Sequence, residues 1–415
     1  MKISRLLFWT VLLFSVVSLQ AQDGSPSPYS FFGLGDVSFK GTAENVSMGG
    51  ISTYVDQVHY NINMPASLTE LKLVNLNLGL SNNFIKIIDK TNQQWFSAHN
   101  VSYFSLAFPV GKKMGAGFGL FPVNSSGYMV YKKTNLGTES YKGDGGNTRL
   151  FLAVAYKLTG HISLGAEYQY YFGYLNRENY WIPNSTLNYT KENDFLDFTG
   201  STLKLSALYK YKLAKKYYVN AFANYRLATR LSAQYRSGTR VITPLPGGEE
   251  TVEYTTNADE TGKINFPMQI DIGFGYGQTN KWFLGTEFTY KDLKNFRNPF
   301  YDPAYVSYKT GTGFKLGGLY IPEYNSIRSY WKRITYRAGA YFKNTGINIY
   351  NEDITDFGIT FGLGLPAIRG ISNLNLGLEL GQRGKVTTHL VKEQYINLHI
   401  GISLNDRWFM KRKIN

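Results

Sequence analysis

The sequence predicts an all-β fold: a transmembrane antiparallel β-barrel of about fourteen strands with an N-terminal plug, or hatch, in its lumen. Three observations lead there. Residues 1–21 have the form of an export signal. From residue 72 onward, apolar residues alternate with polar or small ones in stretch after stretch, and no later run is long and apolar enough for a spanning helix. The intervening segment, 22–71, does not alternate and is rich in Gly, Ser and Asn.

The signal is read from its order of parts. Lys2 and Arg5 precede the apolar run 6–19, and Gln20-Ala21 stands ahead of Gln22-Asp23. A spanning helix needs about 20 apolar residues, so the run is cleaved signal and not anchor. Aromatic residues make up 16% of the chain, with 33 Tyr, 27 Phe and 42 Gly, a composition that favours strands. The absence of cysteine excludes a disulfide framework, a Cys-ligated metal site and a lipid-anchored N-terminal Cys. A net charge of +15 would suit nucleic acid, but an exported chain does not meet it.

Strand faces follow from the period of two. In 162–173, Ile162, Leu164, Ala166, Tyr168, Tyr170 and Phe172 share one face, and Ser163, Gly165, Glu167, Gln169 and Gly173 share the other. The first face suits lipid and the second a wet lumen. The same test gives strands at 72–83, 98–108, 114–124, 147–157, 162–174, 200–212, 217–236, 264–277, 281–291, 312–322, 334–346, 354–365, 373–384 and 392–404. Short connections such as 110–113, 214–216 and 278–280 alternate with long ones at 125–146, 175–199 and 237–263, as periplasmic turns alternate with extracellular loops. An open sheet in hydrocarbon would leave its edges unpaired at several kcal/mol per group, so the sheet must close.

The last strand places Tyr395, Asn397, His399, Gly401 and Ser403 opposite Ile396, Leu398, Ile400, Ile402 and Leu404, and Trp408 and Phe409 follow as interface residues. The chain therefore divides into a signal peptide (1–21), a plug segment (22–71), the transmembrane barrel (72–405) and a basic periplasmic tail (406–415). A barrel this wide is not filled by its own side chains, and the lumen is the place where Phe31, Phe32, Leu34, Met48 and Leu68 can be buried.

Ser27-Pro28-Tyr29-Ser30, Gly33-Leu34-Gly35-Asp36, Met48-Gly49-Gly50, the stretch from Asn63 through Pro65 and Ala66 to Leu68, and Asn405-Asp406-Arg407-Trp408-Phe409 carry a likeness. On these motifs the chain resembles the FadL-like family of outer-membrane long-chain fatty acid transporters, in a branch seen in Bacteroidota. The family's Asn-Pro-Ala hatch motif is interrupted here by Met64, leaving Asn63, Pro65 and Ala66 as its counterparts. The resemblance implies fourteen strands, a hatch in the lumen, and uptake of hydrophobic molecules that leave sideways into the bilayer.

Candidate site residues come from lumen-facing positions. Leu164-Gly165-Ala166-Glu167, Leu284-Gly285-Thr286-Glu287 and Leu376-Gly377-Leu378-Glu379 repeat one motif just after a short turn, and Asp271, Lys204 and Arg337 face the same way. These groups would hold the plug or a ligand head group, or simply pair with one another in a solvated lumen. Gly115, Gly117, Gly119 and Pro122 mark either a kink or bulge in the third strand, near which the resembled family opens its wall, or an extracellular strand end simply terminated by Pro122. On the periplasmic side Arg328, Lys332, Arg333, Lys411, Arg412 and Lys413 are expected either to form a docking surface for a partner or simply to meet anionic lipid head groups and the acidic plug. No metal-ligand cluster or nucleophile-base arrangement can be assigned, so neither catalysis nor a cofactor or metal is expected.

The reading is an outer-membrane barrel for passive transport of hydrophobic, fatty-acid-like small molecules. The alternative is a non-transporting structural subunit of a larger outer-membrane assembly or secretion complex. Expected partners are membrane lipid, a hydrophobic ligand, or periplasmic and outer-membrane proteins, and not nucleic acid.

Overall fold

In the computed structural model, residues 24–296, 298, 303–367 and 372–407 are described. The signal peptide and the tail residues Lys411, Arg412 and Lys413 lie outside them.

Two short elements open the chain, β1 (Asp36–Val37) and α1 (Ala43–Val46). Strands then follow as β2 (Val74–Ile88), β3 (Gln93–Val110), β4 (Met114–Ser126), β5 (Met129–Lys133), β6 (Gly137–Lys157), β7 (Ile162–Pro183) and β8 (Tyr189–Lys212). Next come β9 (Tyr217–Arg226), β10 (Thr229–Leu245), β11 (Gly248–Phe266), β12 (Gln269–Gln278) and β13 (Trp282–Asp292). The last are β14 (Val306–Tyr308), β15 (Thr310–Tyr320), β16 (Thr335–Ile349), β17 (Glu352–Pro366), β18 (Asn373–Gly384) and β19 (Lys392–Asp406).

The wall is a closed antiparallel barrel of 14 strands, with β1, β5, β10, β11 and β14 as additions to it. The final ladder, β19 against β2, runs from Lys392 opposite Ile88 to Asp406 opposite Val74, so no lipid-facing edge is left unpaired at the seam. Alternation sets the faces as expected. On β7, Ile162, Leu164, Tyr168, Tyr170 and Phe172 are exposed on the outside, while Ser163, Glu167 and Gln169 are buried within. Near the short turns, outward rings stack into an aromatic girdle: Tyr209 on Tyr211 at 6.3 Å, Tyr217 on Tyr276 at 6.0 Å, and Tyr276 against Trp282 at 5.3 Å.

Two expectations need correction. The long connections are largely strand: β6 begins at Gly137, β7 runs to Pro183, β8 begins at Tyr189, and 237–263 is the β10–β11 hairpin. The ladders continue past the apolar band with polar residues on both faces, so the period-two test has nothing to detect there. The expected single strand at 217–236 is two, with β9 ending at Arg226 and β10 starting at Thr229, and 264–277 is split opposite it at Pro267. Proline donates nothing to a ladder, which accounts for the break between β11 and β12.

Inside, residues 24–71 are packed against lumen-facing side chains around the wall. Met48, Ile51, Met64 and Leu68 are fully buried, and the apolar clusters join this segment to Phe121, Phe151, Phe222 and Phe283 of the strands.

Candidate functional site

The site is the lumen, and the inner segment makes most of it. Thr42 caps α1, its hydroxyl accepting from the Asn45 N–H at 3.4 Å, and the helix ends at Val46, ahead of the turn that carries Met48-Gly49-Gly50. Gly49 has φ +70°, a left-handed conformation that glycine adopts without penalty. The wall is cut to match: a Cβ at Gly317 would lie 2.0 Å from the Met48 carbonyl oxygen, and one at Gly339 would lie 2.3 Å from the Gly49 nitrogen.

The repeated glutamates all point inward and are buried. Glu379 accepts from Lys40 Nζ at 2.7 Å, from Asn397 Nδ2 at 2.8 Å and from the Tyr341 hydroxyl. Glu287 accepts from Lys315 Nζ at 2.6 Å and from the Ser52 backbone N–H at 2.6 Å. Glu167 pairs with Arg149 at 3.6 Å and accepts from Gln169 Nε2 at 2.5 Å. Two of the three carboxylates therefore bind the inner segment directly, and the third stays within the wall.

Arg337 donates to Asn375 Oδ1 at 2.9 Å and faces the α1 residue Glu44 at 3.9 Å. Asp271 accepts from Gln269 Nε2 at 2.9 Å and from the Thr289 hydroxyl at 2.9 Å. The Asn63 carbonyl accepts from Lys204 Nζ and from Asn224 Nδ2 at 3.1 Å. Pro65 starts a 3₁₀ helix, Pro65–Glu70, in which the Ala66 N–H donates to Ser206 Oγ at 3.3 Å. At its end Glu70 bridges Lys157 at 2.6 Å and Lys210 at 2.9 Å, tying the segment to β6 and β8 beside the short turns. Burial pulls the Glu70 carboxyl up, but the two ammonium groups outweigh it and hold it down at about 2. Burial also pushes His59 down to about 4, which leaves it neutral at pH 7.

On β4 the glycines answer to the inner segment more than to a bend. A Cβ at Gly115 would lie 2.3 Å from the Leu68 carbonyl oxygen, and one at Gly117 would lie 3.2 Å from the Leu68 side chain. Gly119 instead makes room for the Phe104 carbonyl and the Phe151 ring. The irregularity sits at Pro122, where the β4–β6 register shifts between Pro122 and Asn124. The β3–β4 ladder stops at Phe104 opposite Leu120. Beyond it β4 pairs with β1 instead, Asp36 with Ser125 and Val37 with Asn124.

A cavity of about 350 Å³ remains beside the inner segment, reaching Phe39, Phe121, Asp271, Glu287, Glu379 and Lys343. Glu167 and Arg337 do not line it. The basic turn is outside and exposed: Lys332 pairs with Glu323 at 3.1 Å, Arg333 lies 5.4 Å from the Tyr330 ring, and Ile327 and Trp331 are 97% and 70% exposed. Sequence reasoning missed Lys40, Arg383, Lys315, Lys291 and Lys343. The wall lysines occupy lumen-facing alternation positions and were open to detection. Lys40 and the pairings needed register and the path of a non-periodic segment.

Comparison with known proteins decides the family. Residues 2–415 match the BamG family model. The chain belongs to the BamG family. No curated protein matches it. The toluene transporter TbuX of Ralstonia pickettii superposes with a TM-score of 0.58 at 12% identity, over 91% of this chain and 99% of that one. For the P. putida toluene transporter TodX the values are 0.57 and 16%, over 91% and 100%. A Pseudomonas aeruginosa FadL homologue gives 0.57 and 11%, over 90% and 99%. This BamG-family chain thus shares the closed, FadL-like barrel fold of those proteins.

Proposed function

We propose that this BamG-family barrel is closed by residues 22–71 acting as a plug, and that it works through its outer surfaces as a structural subunit of a larger outer-membrane assembly. The observation that carries this is the chemistry of the lumen. Lys40–Glu379, Lys315–Glu287 with the Ser52 N–H, and Glu70 with Lys157 and Lys210 tie the segment to widely separated strands. Removing one partner from a buried ion pair costs about 3–5 kcal/mol, so opening the lumen by withdrawing the segment is costly. Charged walls also suit an apolar passenger poorly, because its passage would strip water from them with nothing polar in return.

The exposed turn around Arg328, Lys332 and Arg333, with Ile327 and Trp331 uncovered, supports docking on the short-turn side. Changing these three residues together with Lys411, Arg412 and Lys413 to Gln is expected to release proteins that co-purify under gentle extraction, with the barrel still folded. Unchanged co-purification counts against the scaffold reading.

One observation favours a second reading, uptake of a hydrophobic molecule. The β3–β4 ladder ends at Leu120, next to the cavity-lining Phe121, and beyond it β1 takes the place of β3 as the partner of β4. Displacing β1 would join the cavity to the bilayer. Pro122→Val is then expected to extend the ladder and slow uptake without harming assembly; unchanged uptake argues against exit there.

A further inference from the structure

The lumen cavity holds more positive charge than its acids neutralise. We propose that it binds an amphipathic dianion, a phosphomonoester-type head group on a short apolar tail, whether or not the barrel acts as a scaffold.

The head-group position is built from three neighbouring strands. Lys291 on β13 and Lys343 on β16 both line the cavity and stand on either side of β15, whose buried, lumen-facing residues there are Gly311 and Gly313. A Cβ at Gly313 would meet Lys343 Cγ only at 3.5 Å and Thr289 Cβ at 3.7 Å, so a floor without side chains lies between the lysines. Neither lysine makes an ion pair with a described residue. The carboxylate opposite Lys343 in register, Asp356, already accepts from the Tyr395 hydroxyl and faces Arg383 at 3.9 Å.

One strand further along, Arg226 and Lys291 both stand opposite Gln269, which places a guanidinium, an amide and an ammonium in one cross-strand row. Arg226 Nη2 donates to the Pro267 carbonyl at 3.2 Å, while its Nε is buried without a partner among the described residues. Of the described acids lining the cavity, Asp271 alone has no ion pair. Even if Asp271 is set against Arg226, Lys291 and Lys343 remain uncompensated. Half-buried cations gathered around one cavity favour a counter-charge there, and two lysines favour a dianion before a monoanion.

The tail follows from the apolar part of the lining. Leu293, Phe296, Ile347 and Ile354 face the same space, and about 350 Å³ is an order of magnitude beyond the roughly 30 Å³ that one water occupies. A bare inorganic ion would leave that apolar side unused.

Water-soluble hexyl phosphate, hexanoate and inorganic phosphate, titrated calorimetrically into the detergent-solubilised barrel, test the proposal. Hexyl phosphate is expected to bind one per barrel, at least tenfold tighter than the other two. Lys291→Gln with Lys343→Gln should weaken it at least tenfold while the barrel keeps its heat-modifiable gel shift. If that double variant does not fold, Gly313→Leu keeps both lysines and fills the floor, and should abolish binding. The proposal is overturned by the absence of saturable hexyl phosphate binding, or by binding that neither variant weakens. Equal affinity for hexanoate would overturn the dianion, and equal affinity for inorganic phosphate would overturn the tail.

Discussion

Glu379 shows most clearly how single residues keep the inner segment in place. Its carboxylate is fully buried and is the ion partner of Lys40, itself only 13% exposed. Glu379→Ala leaves a buried ammonium uncompensated, and the expected loss is about 3–5 kcal/mol, read as a lower urea midpoint for protease protection of residues 24–71. Glu70 gives the pH counterpart. Its folded value of about 2 lies below the usual 4.5, so between those values the unfolded chain binds more protons than the folded one. The stabilisation is fully present above pH 4.5 and is lost as pH falls toward 2. Glu70→Gln should therefore match wild type in stability at the acid end of that window and fall below it at neutral pH, as measured by denaturant midpoints in detergent. A constant difference across pH would contradict the bridge to Lys157 and Lys210. At the glycine contacts, Gly317→Val pushes a side chain into the Met48 carbonyl and is expected to cost about 1–3 kcal/mol, with most of the effect in protection of the inner segment.

Among the elements, those that cross the apolar band were legible and those beyond it were not. Strands such as β7 and β19 read correctly because lipid on one side and lumen on the other impose a period of two. In the upper parts of β6, β7 and β8, and in the outer part of the β10–β11 hairpin, mostly polar residues stand on both faces and hydrogen bonding holds the ladders, whereas Leu231, Ala233, Ile264 and Phe266 at the base of that hairpin are buried. The inner segment had no period at all; its buried Met and Leu residues and its glycines were the only signals. Glu167, Glu287 and Glu379 could be placed facing the lumen from alternation alone. Their partners could not, since Lys315 stands opposite Glu287 only through the β13–β15 register and Lys40 arrives from outside the strand pattern. At this scale β4 carries its own test. If Gly115 and Gly117 exist to admit Leu68, then Gly115→Val should loosen the Pro65–Glu70 helix from the wall and leave β4 itself intact, which amide exchange can separate.

As a whole molecule, the barrel combines a closed antiparallel wall with an interior into which residues 24–71 are packed. Solubilised protein should run as a compact β-rich species in cold sodium dodecyl sulfate and shift on boiling, because the closed ladder from β2 through β19 leaves no edge from which to unzip. Whether residues 22–70 close the lumen can be measured as ion conductance across a planar lipid bilayer, compared between the mature chain and a form lacking those residues. The mature barrel is expected to be silent, and the deleted form to insert and conduct steadily. Steady conductance by the intact barrel, or silence from a deleted form that has demonstrably inserted, would contradict closure of the lumen by this segment.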